Sequence, residues 1–314
     1  MEYLYRTITM PNDYEGKVIV TVIKAKDQIV STKAVLYIHG YLDYFFQNHV
    51  AQYFVERGFH FYAVELRKYG HSYLKHQHFN YCRDMKEYYP DISKCIEEII
   101  NDGNKEIILL GHSTGGLLAS LYASEGYLKD KISKVILNSP FLKFNTSLFK
   151  RTIMIPLAGL ASKLYPYAKK RNEISPFYGE SIYIGLRGEW DFDTSLKPLG
   201  NSPLYFAWLQ AIAKAHRKIQ KGLNIDVPVL VLSSDHSLHP KRWTDEIKRS
   251  DIVLNVKHIR KLSPDLGPCA TYISIKNGIH DLFLSEKKVR ENALEAISEW
   301  LQKQDVCSEQ TSSE

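Results

Sequence analysis

The sequence predicts an α/β fold: a mostly parallel sheet flanked by helices and interrupted by one inserted, largely helical segment. Three observations predict it. Short apolar runs bounded by turn residues recur with helically spaced segments between them, the rhythm of strands joined by crossover helices. One such junction, Gly111-His112-Ser113-Thr114-Gly115, sets a serine between a wholly apolar run and a glycine-led helix start. From Leu142 to Asp226 the rhythm stops, and helical pieces surround a turn-rich middle.

In chain order, Tyr3 to Thr9 and Lys17 to Ala25 read as an opening hairpin or edge pair. Strands follow at Ala34 to His39, Phe59 to Leu66, Glu106 to Leu110, Lys134 to Asn138, Val227 to Ser233 and Ala270 to Lys276. Helical spacing marks Gln47 to Glu56, Asp91 to Asn101, Gly115 to Ser124 and Glu286 to Gln302. Within the insertion, Leu148 to Leu164 and Tyr205 to Lys221 carry it too. The chain thus divides into a core of residues 1–141 and 227–303, a cap of 142–226 over one end of the sheet, and a polar stretch from Gln304 to Glu314 expected to be a flexible tail.

At 314 residues, 44% hydrophobic and 24% charged, the chain can bury a full core and is not a disordered tail. Its net charge of +6 falls short of a nucleic-acid-binding signature. That excess belongs to the cap, which holds thirteen lysines and arginines against six acidic residues and is rich in aromatics. A solvated basic face over an aromatic core accounts for this; so does a lid that takes an apolar chain near an anionic group or touches an anionic membrane surface. The cysteines, Cys82, Cys95, Cys269 and Cys307, lack metal-like spacing and are too few to staple the chain, which points to a reducing, cytoplasmic setting. No signal peptide is visible in Met1 to Asp13, and the uncharged run Ile107 to Ser124 is broken by Gly111 to Gly116, unlike a membrane span.

A serine on a sharp strand-to-helix turn projects its Oγ above the sheet, and Gly111 and Gly115 suit the close backbone approach such a turn needs. A serine hydroxyl needs a base at neutral pH. His280 is the best placed, in the loop after the last strand, on the rim where Ser113 lies. His112 adjoins the serine but diverges from it, His39 suits shaping its own loop, and His236 and His239 are competitors near the acid loop. The base needs a carboxylate to hold its tautomer. Asp235, following Val229-Leu230-Val231-Leu232-Ser233-Ser234, is the first choice, Asp251 the alternative, and Asp281 too close in sequence to the base to orient it. Backbone amides of Thr114 and Tyr41 would form the oxyanion hole, with Gly40 permitting the turn.

These stretches resemble the α/β-hydrolase superfamily, and more narrowly its monoglyceride-lipase, lysophospholipase and serine-aminopeptidase (S33)-like branch. The resemblance rests on Leu36-Tyr37-Ile38-His39-Gly40, Glu65 to Ser72, the Ser113 elbow, Asn138-Ser139-Pro140-Phe141 and Ile279 to Ser285, spread over most of the chain. It implies an eight-stranded sheet with a cap inserted after strand six, and the chain order Ser113, Asp235, His280 is the superfamily's order. The chain departs from the branch at Tyr41-Leu42-Asp43-Tyr44, where small residues and a Glu-His pair are usual, and at Ser233-Ser234-Asp235, where Gly-x-x-Asp is usual.

The expected function is a serine hydrolase that cleaves carboxylic esters through an acyl-enzyme, of monoacylglycerol or lysophospholipid type. It needs no metal or cofactor and takes a small acyl ester as its partner. A serine aminopeptidase is the alternative, with Glu189, Asp191 and Asp193 as candidate anchors for an amino group. A non-catalytic receptor on the same fold is the alternative of another class.

Overall fold

A computed structural model describes residues 1–171, 175–200 and 202–311 of the chain, with side chains as far as 305. Two antiparallel strands, β1 (Tyr3–Asp13) and β2 (Gly16–Ala25), open it. Next come β3 (Lys33–Ile38), α1 (Asn48–Val55), β4 (His60–Glu65), α2 (Tyr89–Asn101), β5 (Glu106–His112), α3 (Thr114–Glu125) and β6 (Ile132–Asn138). The inserted subdomain holds α4 (Ile155–Leu164), β7 (Lys169–Arg171), α5 (Pro176–Ile182), β8 (Pro203–Tyr205) and α6 (Phe206–Ile219). The core then resumes with β9 (Val229–Ser234), α7 (Val256–Leu262), β10 (Ala270–Ile275) and α8 (Lys287–Thr311).

Eight strands form the central sheet in the order β1-β2-β4-β3-β5-β6-β9-β10. β2 pairs antiparallel with both β1 and β4, and the pairings from β4 to β10 are all parallel. The inner strands are apolar at successive positions because both faces of the sheet are covered. Alternation sorts their side chains. Leu36, Ile38, Leu109, Leu137 and Val231 pack on the side of α2 and α3, against Ile92, Ile96, Leu117 and Leu121. Val35, Tyr37, Ile108, Leu110 and Leu232 face α1 and α8, where Val50, Phe54, Ala293, Ile297 and Trp300 complete a second core. The carboxyl ends of the parallel strands meet along one rim, where an open α/β sheet presents its loops to ligands.

Three details differ from expectation. The stretch from Gln304, expected as a loose tail, is helical as far as Thr311 at the end of α8; residues 312–314 lie outside the described residues. The pair β7 and β8 was not anticipated, since three residues give no alternation to read. The helix over Leu148 to Leu164 contains a π-helical turn at Lys150–Met154. This wider turn lies just before Pro156, which has no amide to donate to the carbonyl of Thr152.

Candidate active site

The site begins where β5 ends. Ile107 to Leu110 are buried in mid-sheet, and the chain must then reverse sharply to start α3. Ser113 takes the turn with φ 54° and ψ −115°, a conformation unfavourable for a residue with a Cβ. The glycines around it make room. A Cβ on Gly111 would lie 2.5 Å from the carbonyl oxygen of Gly115, and one on Gly115 would lie 2.3 Å from that of Ile38. The Ser113 amide donates to the Asn138 carbonyl at 3.0 Å, and Phe141 N donates to the Ser113 carbonyl at 3.0 Å, so both neighbouring loops lock the elbow.

Ser113 Oγ lies 3.0 Å from Nε2 of His280, and Nδ1 of His280 lies 3.0 Å from Oδ2 of Asp251. All three side chains are buried. Asp251 is held independently of the histidine, because its Oδ1 accepts from the amides of Val253 at 2.8 Å and Leu254 at 2.7 Å. With the carboxylate fixed, Nδ1 of His280 carries its proton toward Asp251 and Nε2 is left to accept from the serine.

Asp235, the first-choice acid, does not meet His280. It stands at the rim with its Oδ1 accepting from the Asn277 amide at 2.9 Å and facing Nδ1 of His236 at 2.9 Å. After β9 the chain swings outward and returns, and a parallel bridge between Ser237 and Asp251 brings the second aspartate under the histidine. The chain order serine, aspartate, histidine is kept, with the aspartate that meets His280 on the returning limb.

The other histidines have separate partners. His39 donates from Nδ1 to the Gly40 carbonyl at 2.8 Å and accepts at Nε2 from Leu66 N at 3.1 Å, so it shapes its own loop. Burial lowers its pKa. His112 also has a lowered pKa because it is buried, and its Nδ1 donates to the Asn138 carbonyl. Burial works against protonation of His236, but the flanking Asp235 and Glu246 carboxylates raise its pKa on balance. His239 lies on the cavity wall. Asp281 points away from the base, taking hydrogen bonds from Asn138, Gln47 and the Phe283 amide.

Above the serine lies a cavity of about 860 Å³ between the rim and the inserted subdomain. Its walls include Met154, Ile155, Leu204, Phe206, Trp208 and Leu209 from the cap side and Tyr41, Thr114 and His280 from the core. Thr114 opens α3, so its amide has no partner within the helix, and both Thr114 and Tyr41 line this space. Sequence reasoning did not find two residues here. Asp43 and Lys197 both line the cavity and form a buried ion pair at 2.6 Å, although 154 positions separate them. Burial tends to raise the pKa of Asp43, and Lys197, with His112 and His39, brings it below the ordinary carboxylate value. Glu189 and Asp193 do not reach the cavity. Glu189 pairs with Arg290, and Asp193 binds Ser195 through its side chain and the Tyr44 hydroxyl through its amide.

The sheet order, the strained serine turn and the subdomain inserted between β6 and β9 define an α/β-hydrolase. Residues 30–238 match the serine aminopeptidase S33 family, and the chain belongs to that family. Among solved structures it is similar to a soluble variant of monoglyceride lipase from Saccharomyces cerevisiae in complex with a substrate analogue, at a TM-score of 0.70, 18% identity and 96% coverage of each chain. It also resembles the monoacylglycerol lipase of Paleococcus ferrophilus (TM-score 0.64, 20% identity, 95% of this chain and 98% of that one). A thermophilic esterase from Thermogutta terrifontis gives a TM-score of 0.61 at 16% identity, again over 95% and 98%. At such identities the likeness is one of fold. No curated protein matches the sequence.

Proposed function

We propose that this protein is a serine esterase acting on carboxylic esters with an apolar acyl chain, of the monoacylglycerol or lysophospholipid type. The observation that carries this reading is the continuous hydrogen-bonded row Ser113–His280–Asp251, with 3.0 Å at each contact, opening into a largely apolar covered cavity. Ser113 Oγ attacks the ester carbonyl as Nε2 of His280 takes its proton, and Asp251 stabilises the imidazolium. The carbonyl oxygen, now an oxyanion, is held by the amides of Tyr41 and Thr114. The imidazolium returns its proton to the leaving alcohol, and the acyl-enzyme is hydrolysed by a water that His280 activates in the same way. A fluorophosphonate probe should label Ser113, and Ser113→Ala should neither label nor turn over p-nitrophenyl esters. Folded wild-type protein that resists the probe would favour a binding protein over an enzyme.

Ester is favoured over peptide by the charge on the cavity wall. Among the described residues lining it the acidic side chain is Asp43, already neutralised by Lys197, whereas Lys150, Lys170, Lys197 and Lys241 contribute positive charge. Such a wall has no free carboxylate to anchor a substrate ammonium. Aminoacyl p-nitroanilides should therefore be poor substrates beside p-nitrophenyl esters.

The same reading gives the outer side of the cap a role. Leu148, Phe149, Ile153, Leu157, Leu160 and Leu164 lie exposed along α4 and the turn before it, with Arg151 and Lys163 among them. Among the described residues no helix is long and apolar enough to cross a membrane. An apolar row edged by cations suits shallow contact with an anionic bilayer surface, from which a single-chain lipid could enter the cavity. Sedimentation with phosphatidylglycerol vesicles should exceed that with phosphatidylcholine vesicles, and Leu157→Glu/Leu160→Glu should abolish the difference.

A further inference from the structure

We propose that Lys197, carried by the inserted subdomain, is a positioning residue for the oxyanion loop: its buried ammonium grips Asp43 and so fixes the turn that presents the Tyr41 amide to the cavity. The proposal rests on the reading of the site as a serine esterase and adds a part to it.

The loop after β3 runs close to the nucleophile, since a Cβ on Gly40 would lie 3.3 Å from Cβ of Ser113 and 3.2 Å from the His112 ring. It then takes a conformation that its sequence does not favour. Leu42, a branched residue without the freedom of glycine, has φ 54°. Such a turn persists only where its surroundings hold it. Phe45 anchors the loop in the core against Tyr3 and Tyr37, and further contacts on it come from the cap. The Tyr41 hydroxyl donates to the Pro203 carbonyl at 3.1 Å, and its ring lies against Trp208 with 4.4 Å between centroids. The Tyr44 hydroxyl accepts from Asp193 N at 2.8 Å. Between these two, Lys197 donates to Oδ1 of Asp43 at 2.6 Å.

The ion pair differs from its neighbours in being irreplaceable for its carboxylate. Asp43 is fully buried, and its Oδ2 has no hydrogen-bond partner, so Lys197 is the side chain's one donor among the described residues. The lysine is itself closed in, with Phe46 and Phe192 rings 5.5 and 5.9 Å from its nitrogen. A buried pair of this kind gains little stability over two apolar side chains of the same size. What it supplies is one permitted geometry. Placed one residue beyond the strained Leu42, that geometry sets the direction of the Tyr41 amide, so the cap takes part in the chemistry as well as covering it.

The test compares Lys197→Met and the double variant Asp43→Asn/Lys197→Met on p-nitrophenyl acetate, an ester too small to need the cap for binding. Both variants should lose at least about tenfold in kcat with KM changed less than about threefold, because a misdirected oxyanion donor weakens transition-state binding and spares ground-state binding. The double variant leaves no buried charge stranded and keeps the test open where the single variant does not fold. A folded double variant with wild-type kcat would overturn the proposal. Fluorophosphonate labelling of wild-type Ser113 separates the two readings: a labelled, active wild type with unaffected variants removes only the role of Lys197, and an unlabelled wild type removes the esterase reading itself.

Discussion

Replacing Ser113 by alanine should lower kcat on p-nitrophenyl esters by about 10⁴- to 10⁶-fold, since members of such a relay act as a unit. The two aspartates give a sharper contrast. Asp251→Asn leaves the geometry in place but offers Nδ1 of His280 the wrong partner, and should cost about 10⁴-fold in kcat. Asp235→Asn should stay within about threefold of wild type, because that carboxylate faces His236 and the Asn277 amide. Steady-state kinetics on the two variants side by side checks both, and a larger loss at Asp235 would overturn the assignment of the acid. Ser113 and His280 could be singled out in the sequence because Ser113 follows directly on a strand end and His280 lies in the short loop after the last strand. Asp251 was harder to rank, as it lies after an excursion whose return to the rim is set by the bridge to Ser237. The one local hint was the run Ile252-Val253-Leu254 behind it, whose amides cap the carboxylate.

Among the elements, α6 carries a titratable group that should tie stability to pH. His216 is buried on its inner face and donates from Nε2 to the Phe141 carbonyl at 2.7 Å. Burial pushes its pKa down to about 3, from the ordinary value of 6.5. Between these values the unfolded chain binds a proton there that the folded chain does not. Stability therefore falls as pH drops through this window, by at most about 1.4 kcal/mol per pH unit from this group. His39 and His112, also lowered by burial, act in the same direction. Urea unfolding at pH 6.5 and 4.5 should show a smaller loss for His216→Gln, which cannot take up the proton, than for wild type. Equal losses would mean that His216 is protonated in the folded state. The helical spacing of α6 was plain in the sequence, as was that of α4. The π turn ahead of α4 was not, because widening one turn leaves the apolar spacing almost unchanged.

Across the whole molecule, the mostly parallel sheet and the inserted subdomain followed from the alternation of apolar runs and helical spacing, which are local signals, whereas the count of eight strands in one sheet was what the family resemblance implied. The contacts by which the subdomain completes the site were out of reach. Lys197 reads as one more lysine in a basic segment until the fold sets it against Asp43. At this scale the covered apolar cavity predicts selectivity for acyl length. Across p-nitrophenyl acetate, octanoate and dodecanoate, kcat/KM should rise with the chain as more apolar surface is buried, and Trp208→Ala should flatten the series. A maximum at acetate would exclude a lipid substrate.

The excursion between Ser237 and Asp251 is pinned at its two ends, and its near limb brings His239, Pro240 and Lys241 to the cavity wall. Asp251 is held at the far end by the bridge and by the Val253 and Leu254 amides, so a change of charge at Lys241 should leave that carboxylate where it is. On the esterase reading proposed above, what the cavity admits and the carboxylate of the relay that would act on it are thus set by different parts of one loop.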